Sequence, residues 1–241
     1  MQEINSFKKG IGDGMPICIG YFSVSFAFGI FAVASGLTVI EAVLMSMTNL
    51  TSAGQLAAVP IICAGGGVVE LLFSQLVINS RYALMSVSLS QKLSPGVNLF
   101  NRFLIAFGNT DEIFAVSTSQ NGLVTSRYMY GLILSPFVGW STGTLLGAVA
   151  GNVLPAVLTT SLGVAIYGMF IAIVVPQAKK DKAAAICVLL SVCLSCIFYY
   201  TPILNRIPAG FVIIICAVLS SVVMAVVCPI RIEVKEAEQN A

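Results

Sequence analysis

The chain has 241 residues, 58% hydrophobic and only 9% charged, with a mean hydropathy of +0.98 and a net charge of +2. Soluble domains carry about 25% charged residues, so this composition cannot clothe a water-facing surface. The small net charge, with no basic run beyond Lys179–Lys180, also excludes a nucleic-acid binder. What fits is one all-α polytopic transmembrane bundle spanning residues 1–241, with room for roughly eight spans of about 20 residues.

Lys8–Lys9, an apolar stretch and Ala32-Val33-Ala34 imitate a signal peptide with its cleavage site. The stretch Met15–Ala34 is longer than the roughly 7–15 residues of a signal core. It therefore reads as a retained first span behind a short interfacial segment, Glu3–Gly14, within a cytoplasmic N-terminus, 1–14. Hydropathy then gives segments at about 15–36, 41–64, 68–90, 103–120, 127–150, 156–178, 183–201 and 208–229, with a tail at 230–241. Gly36, Gly65-Gly66-Gly67, Pro95-Gly96, Gly122, Gly151, Pro155, Pro202 and Pro208 punctuate the junctions.

Two segments read as discontinuous helices. The second is interrupted at about 48–55 by Thr48-Asn49-Leu50-Thr51-Ser52-Ala53-Gly54-Gln55, and the fourth at about 108–112 by Gly108-Asn109-Thr110-Asp111-Glu112. At membrane depth such interruptions are tolerable where they line a cavity or are covered by protein. Transporters use half-helix ends of this kind to hold charged groups of a substrate. The alternative is that these polar residues only glue helices together.

Arg81 lies in the third segment, and Asp111 and Glu112 lie in the fourth. A charge near the bilayer centre costs about 2.5–3.5 kcal/mol on insertion scales, so these groups mark a polar pathway. On a helical wheel Gln75, Asn79, Tyr82 and Ser86 form one stripe, and Glu70, Ser74, Arg81 and Ser88 a second. A helix polar on two sides belongs inside the bundle. Arg81 needs a partner, and either carboxylate can serve. Asp111 is expected to cap a half-helix or pair with Arg81, and Glu112 to meet a substrate ammonium or carry a coupling proton.

With eight crossings, Lys8, Lys9, Arg127, Lys179, Lys180, Lys182, Arg231 and Lys235 fall on one side, and Lys92, Arg102 and Arg206 on the other. The positive-inside rule then makes both termini cytoplasmic. Segment 103–120 is short and polar; were it re-entrant, seven helices would cross and the first three segments would change sides.

Histidine is absent, and the seven cysteines lie in or at the ends of apolar runs. They read as packing residues, and no metal or cofactor is expected. A possible two-fold internal repeat is suggested by Ala32–Gly36 with Glu41–Leu44 against Gly147–Gly151 with Pro155–Leu158, an offset near 115 residues.

Several blocks together resemble the AzlC family of branched-chain amino acid permeases. They are Gly10 to Tyr21, with Gly14-Met15-Pro16-Ile17-Cys18-Ile19-Gly20-Tyr21 at its core; Phe26-Ala27-Phe28-Gly29; Ala53 to Ala58; Asn79 to Ser86; and Phe107 to Ala115. The resemblance runs from about Gly10 to Pro229. Two departures stand out: Tyr82 where the family commonly has His after the Arg, and Ser52-Ala53-Gly54-Gln55 where it commonly has G-A-S-Q. The first removes a His-based proton step, and the second alters the pocket.

The resemblance implies export of leucine, isoleucine and valine, in some cases methionine, across a bacterial inner membrane. It also implies a small AzlD-like membrane partner. The candidate substrate-binding residues are Gly54, Gln55, Asn79, Arg81, Asp111 and Glu112. Arg81 and the break near Gly54-Gln55 would take the substrate carboxylate, and Asp111 or Glu112 its ammonium. The alternatives are a non-transporting scaffold for a partner, and an intramembrane enzyme. The chain has no histidine, and so lacks the H-E-x-x-H motif that the latter would use.

Overall fold

The computed structural model describes residues 3–153 and 181–228, with isolated positions between 168 and 179. The predicted span 156–178 therefore lies largely outside the described residues. Nine helices are described: α1 (Phe7–Ala34), α2 (Val39–Thr48), α3 (Ser52–Cys63), α4 (Val68–Lys92), α5 (Leu99–Phe107), α6 (Asp111–Thr118), α7 (Ser126–Val153), α8 (Lys182–Tyr200) and α9 (Ala209–Val227). Of these, α1, α7, α8 and α9 are long and apolar enough to cross a membrane. The chain is a polytopic helical membrane protein.

Helices α1 and α7 form the spine, and they run parallel. Pairs in contact advance together along both: Phe7 with Gly131, Cys18 with Gly139, Phe22 with Gly143, Phe26 with Gly147, and Ile30 with Gly151. Glycines permit this approach. A Cβ added at Gly147 would sit 2.0 Å from the Phe26 carbonyl oxygen, and one at Gly143 2.5 Å from that of Phe22. In front of the two helices, β1 (Glu3–Ile4) pairs in parallel with β2 (Leu123–Val124). This end of the bundle is called the near face below.

The polar interruptions fall where expected, at Asn49-Leu50-Thr51 and Gly108-Asn109-Thr110. The chain does not run through them. It turns back, which corrects the reading of 41–64 as a broken span and, for 103–120, follows the re-entrant alternative.

Helix α2 leaves the far end of α1, and α3 returns to the same end. Ala42 of α2 and Val59 of α3 share one apolar cluster with Phe28, Ala32 and Ala148. Helix α4 then descends to the near face, where Lys92 Nζ donates to the Gln120 carbonyl and Leu93 bridges to Val124. Helix α5 starts there, with Asn101 accepting from the Tyr130 hydroxyl, and α6 ends there, with Gln120 accepting from Lys9 Nζ. Both interrupted segments are thus re-entrant hairpins, entering from opposite faces. Each half is 8–12 residues long, roughly 12–18 Å at 1.5 Å per residue, against about 30 Å for a hydrocarbon core.

Helix α9 begins at the far face, where Glu70 accepts from the Gly210 N–H at 2.7 Å. Its buried carboxylate closes a donor at that helix start. A short connection holding a 3-10 turn, Leu204–Arg206, makes α8 and α9 antiparallel, tied at mid-length by Ser191 and Ser220.

Candidate functional site

The hairpin tips meet at the centre of the bundle. Each opens its second helix with a threonine cap: Thr51 Oγ1 accepts from the Gly54 N–H, and Thr110 Oγ1 from that of Ile113. The N-terminal ends of α3 and α6 therefore point into the protein. Beside them lies a cavity of about 430 Å³, lined among others by Tyr21, Leu50, Ser52, Arg81, Asp111 and Glu112. That is within the size range of small-molecule sites.

The charged residues occupy distinct places. Arg81 Nη2 lies 2.7 Å from Asp111 Oδ2 and also donates to the Tyr82 hydroxyl at 3.3 Å. Its guanidinium stands 5.0 Å over the Tyr82 ring, an arrangement Lys would not reproduce. The cap of α6 is Thr110, so Asp111 occupies the first helical position and pairs with Arg81 instead of capping. Glu112 points to α1. The Tyr21 hydroxyl donates to its carboxylate and lies 2.7 Å from Thr110 Oγ1. Trp140 meets Tyr21 edge-on at 5.2 Å between ring centres, closing the cavity floor from α7.

The other three candidates lie elsewhere. Gln55 is fully buried, and its Nε2 donates to Ser46, which is hydrogen-bonded to Thr144 of α7. It fastens the first hairpin to the spine. Gly54 packs against α4: its carbonyl accepts from Gln75 Nε2, and an added Cβ would lie 2.6 Å from Gln75 Oε1. Asn79 donates to Gln75 and lines a second, smaller cavity. Arg81, Asp111 and Glu112 thus share the large cavity, while Gly54, Gln55 and Asn79 do not line it.

Tyr21, Tyr82, Thr110 and Trp140 were not singled out as site residues by sequence reasoning. The signals were modest: Trp140 is the chain's sole tryptophan, and Tyr21 ends the first quoted block. Asp13, near the start of α1, was also passed over; it accepts from the Tyr128 hydroxyl at 2.8 Å.

Two helical hairpins around a polar cavity define a class: a multi-pass membrane protein with a cavity inside its helical bundle. The model of the AzlC protein family matches residues 16–154. An uncharacterized membrane protein of Archaeoglobus fulgidus is 31% identical over 181 residues, covering 74% of this chain and 79% of that protein. The inner membrane protein YgaZ of Escherichia coli is 28% identical, covering 75% and 77%. The branched-chain amino acid transport protein AzlC of Bacillus subtilis is 24% identical, covering 73% and 70%. The chain belongs to the AzlC family. No solved structure matches it. Among the described residues no cluster of three or more His, Cys, Asp or Glu could hold a metal ion.

Proposed function

We propose that this protein transports branched-chain amino acids, binding the zwitterion in the 430 Å³ cavity between the hairpin tips. The observation that carries the reading is the division of charge there. Arg81, together with the N-terminal end of α3 at Ser52, offers a cationic side for the substrate carboxylate. Glu112, not engaged by Arg81, offers an anionic side for the ammonium. Pro16, Ile17, Val24 and Leu50 give the aliphatic chain an apolar wall. The reading agrees with the printed role of the Bacillus subtilis relative.

Transport is secondary and outward, with Glu112 as the proton-carrying group, across a bacterial inner membrane and in company with a small AzlD-like protein. The topology among the described residues is full crossings by α1, α4, α7, α8 and α9, with two re-entrant hairpins. Charge supports cytoplasmic termini: Lys8, Lys9, Lys92, Arg102, Arg127 and Lys182 belong to the near face, and Arg206 to the far face.

The test is counterflow of labelled leucine in proteoliposomes, with the chain alone and with its small partner. Exchange that unlabelled isoleucine and valine suppress supports the reading. Folded protein that exchanges no leucine in either preparation contradicts it.

A further inference from the structure

Between the near-face half of α4 and helix α5 lies a groove of about 260 Å³, lined among others by Val87, Leu93, Leu99, Arg102, Phe103 and Ile105. Helix α4 descends to the near face there, and α5 rises from it. Leu93 and Leu99 thus mark the near-face end of the groove, and Ser86 and Ala106 its inner end. At 1.5 Å per residue, Ser86 to Leu93 covers about 10 Å along the helix. Spread over that length, the volume has a section of about 26 Å², narrow beside an α-helix that is about 10–12 Å across with its side chains.

The trough is apolar and open on its outer side. Val87, Leu99 and Phe103 are 63%, 69% and 67% exposed. The two lining serines are engaged elsewhere: Ser90 Oγ donates to the Val87 carbonyl, and Ser86 Oγ accepts from Asn109 Nδ2. None of the lining residues is a carboxylate, and Arg102 is the charged one among them. Its Nε donates to the Val97 carbonyl at 3.1 Å, which holds the guanidinium back at the near-face end of the groove. Among the described residues its remaining N–H groups meet no acceptor and no carboxylate.

We propose that this groove holds one anionic phospholipid, its phosphate on Arg102 and one acyl chain in the trough. A guanidinium presents a planar fork that matches phosphate oxygens. Basic pockets between membrane helices on the cytoplasmic side suit anionic headgroups, and the near face is the side where Lys and Arg collect. The trough is one alkyl chain wide, which fits a lipid tail and is too narrow to seat a partner helix. The inference stands apart from the transport reading, since it needs only that the near face lie at a membrane surface.

The purified full-length chain in neutral detergent is titrated with phosphatidylglycerol and, separately, with phosphatidylcholine of the same acyl chains. Native mass spectrometry counts the bound lipid, and melting reads the gain in stability. The proposal expects one phosphatidylglycerol to be retained in preference to phosphatidylcholine, with a saturable rise in melting temperature. Arg102→Gln is expected to lower that preference roughly five-fold, the ratio for about 1 kcal/mol per basic residue at an anionic surface. Lys8→Gln, exposed at the same face but outside the groove, keeps it. Val87→Trp fills the trough and removes the bound lipid with Arg102 intact; Val87 is exposed enough to accept the larger ring, so this variant carries the test should Arg102→Gln not fold.

Equal retention of both lipids means that Arg102 only reaches for water, and overturns the proposal. Equal losses in Arg102→Gln and Lys8→Gln mean a general surface attraction and overturn it as well, as does unchanged phosphatidylglycerol binding in Val87→Trp. Displacement by glycerol phosphate would mark a phosphate site without a lipid, and expulsion of the lipid by the small partner protein would mark a protein contact; either result removes the proposal.

Discussion

Arg81 of α4 and Asp111 of α6 are joined by a 2.7 Å ion pair, which leaves the adjacent Glu112 to a different partner, Tyr21 of α1. The two carboxylates therefore lie on different sides of one helix start, as neighbours on a helix must. One charge is tied to the scaffold, and the other faces the cavity bonded to a tyrosine.

Replacing Arg81 tests the cationic side. Arg81→Ala and Arg81→Lys are both expected to insert normally and to lose at least roughly ten-fold in transport, the ratio for about 1.4 kcal/mol. Lys keeps the charge but loses the fork that reaches Asp111 and stacks on Tyr82. The pair is about half exposed toward the cavity, so its loss should affect function more than stability. Leucine uptake into proteoliposomes, normalised to inserted protein, is the measurement. Near-parental uptake by the Lys variant would argue against a two-pronged role.

The carboxylates should separate. Asp111→Asn is expected to weaken transport while keeping the folded yield and the parental pH dependence, because it breaks the half-exposed pair with Arg81 and leaves Glu112 in place. Glu112→Gln should keep the yield and flatten the pH dependence of transport. Size-exclusion recovery and a pH series of leucine exchange give the two readouts. A parental pH profile for Glu112→Gln would transfer the coupling role to Asp111.

Topology is tested by single cysteines in a cysteine-free background, labelled by an impermeant maleimide in right-side-out cells. A cysteine at Gly67 is expected to label from outside, and one at Gly96 only after permeabilisation. Eight straight crossings with cytoplasmic termini give the opposite pattern at both positions.

The parallel spine predicts a contrast between two glycines. Gly147→Ala should destabilise by about 1–3 kcal/mol, the usual cost of overpacking, because its Cβ meets the Phe26 backbone. Gly12→Ala has nothing within 4 Å of the new Cβ and should leave stability unchanged. Melting in detergent compares the two.

Much of this was legible in the sequence. Polar residues at 48–55 and 108–112 are costly in lipid, so their presence forecasts a cavity whatever the fold. Arg81 and the carboxylates stood out for the same reason, and so did the two polar stripes of α4. One stripe meets α3 through Gln75 and Asn79, and the other meets α9 through Glu70. The shortness and polarity of 103–120 raised a reversal there, but the reversal at 49–51 was not legible, because a half-helix has the same composition whether the next half continues or turns back. A trace did exist: reversing both hairpins moves Lys92 and Arg102 to the side of Lys9, which sharpens the charge asymmetry. The positions of Gly54 and Gln55 behind the tip were also hidden. Sequence places them at the break, but only packing shows which face of the break is lined.

The central claim is that the cavity reads both charged ends of an amino acid, the carboxylate beside Arg81 and the ammonium beside Glu112. Its most direct test is competition against labelled leucine bound to the purified protein, using isoleucine, isoamylamine, which lacks the carboxylate, and 4-methylvalerate, which lacks the ammonium. The account predicts that isoleucine displaces leucine, whereas the amine and the acid fail at the same concentration. Displacement by either one-charged analogue as effectively as by isoleucine would contradict it.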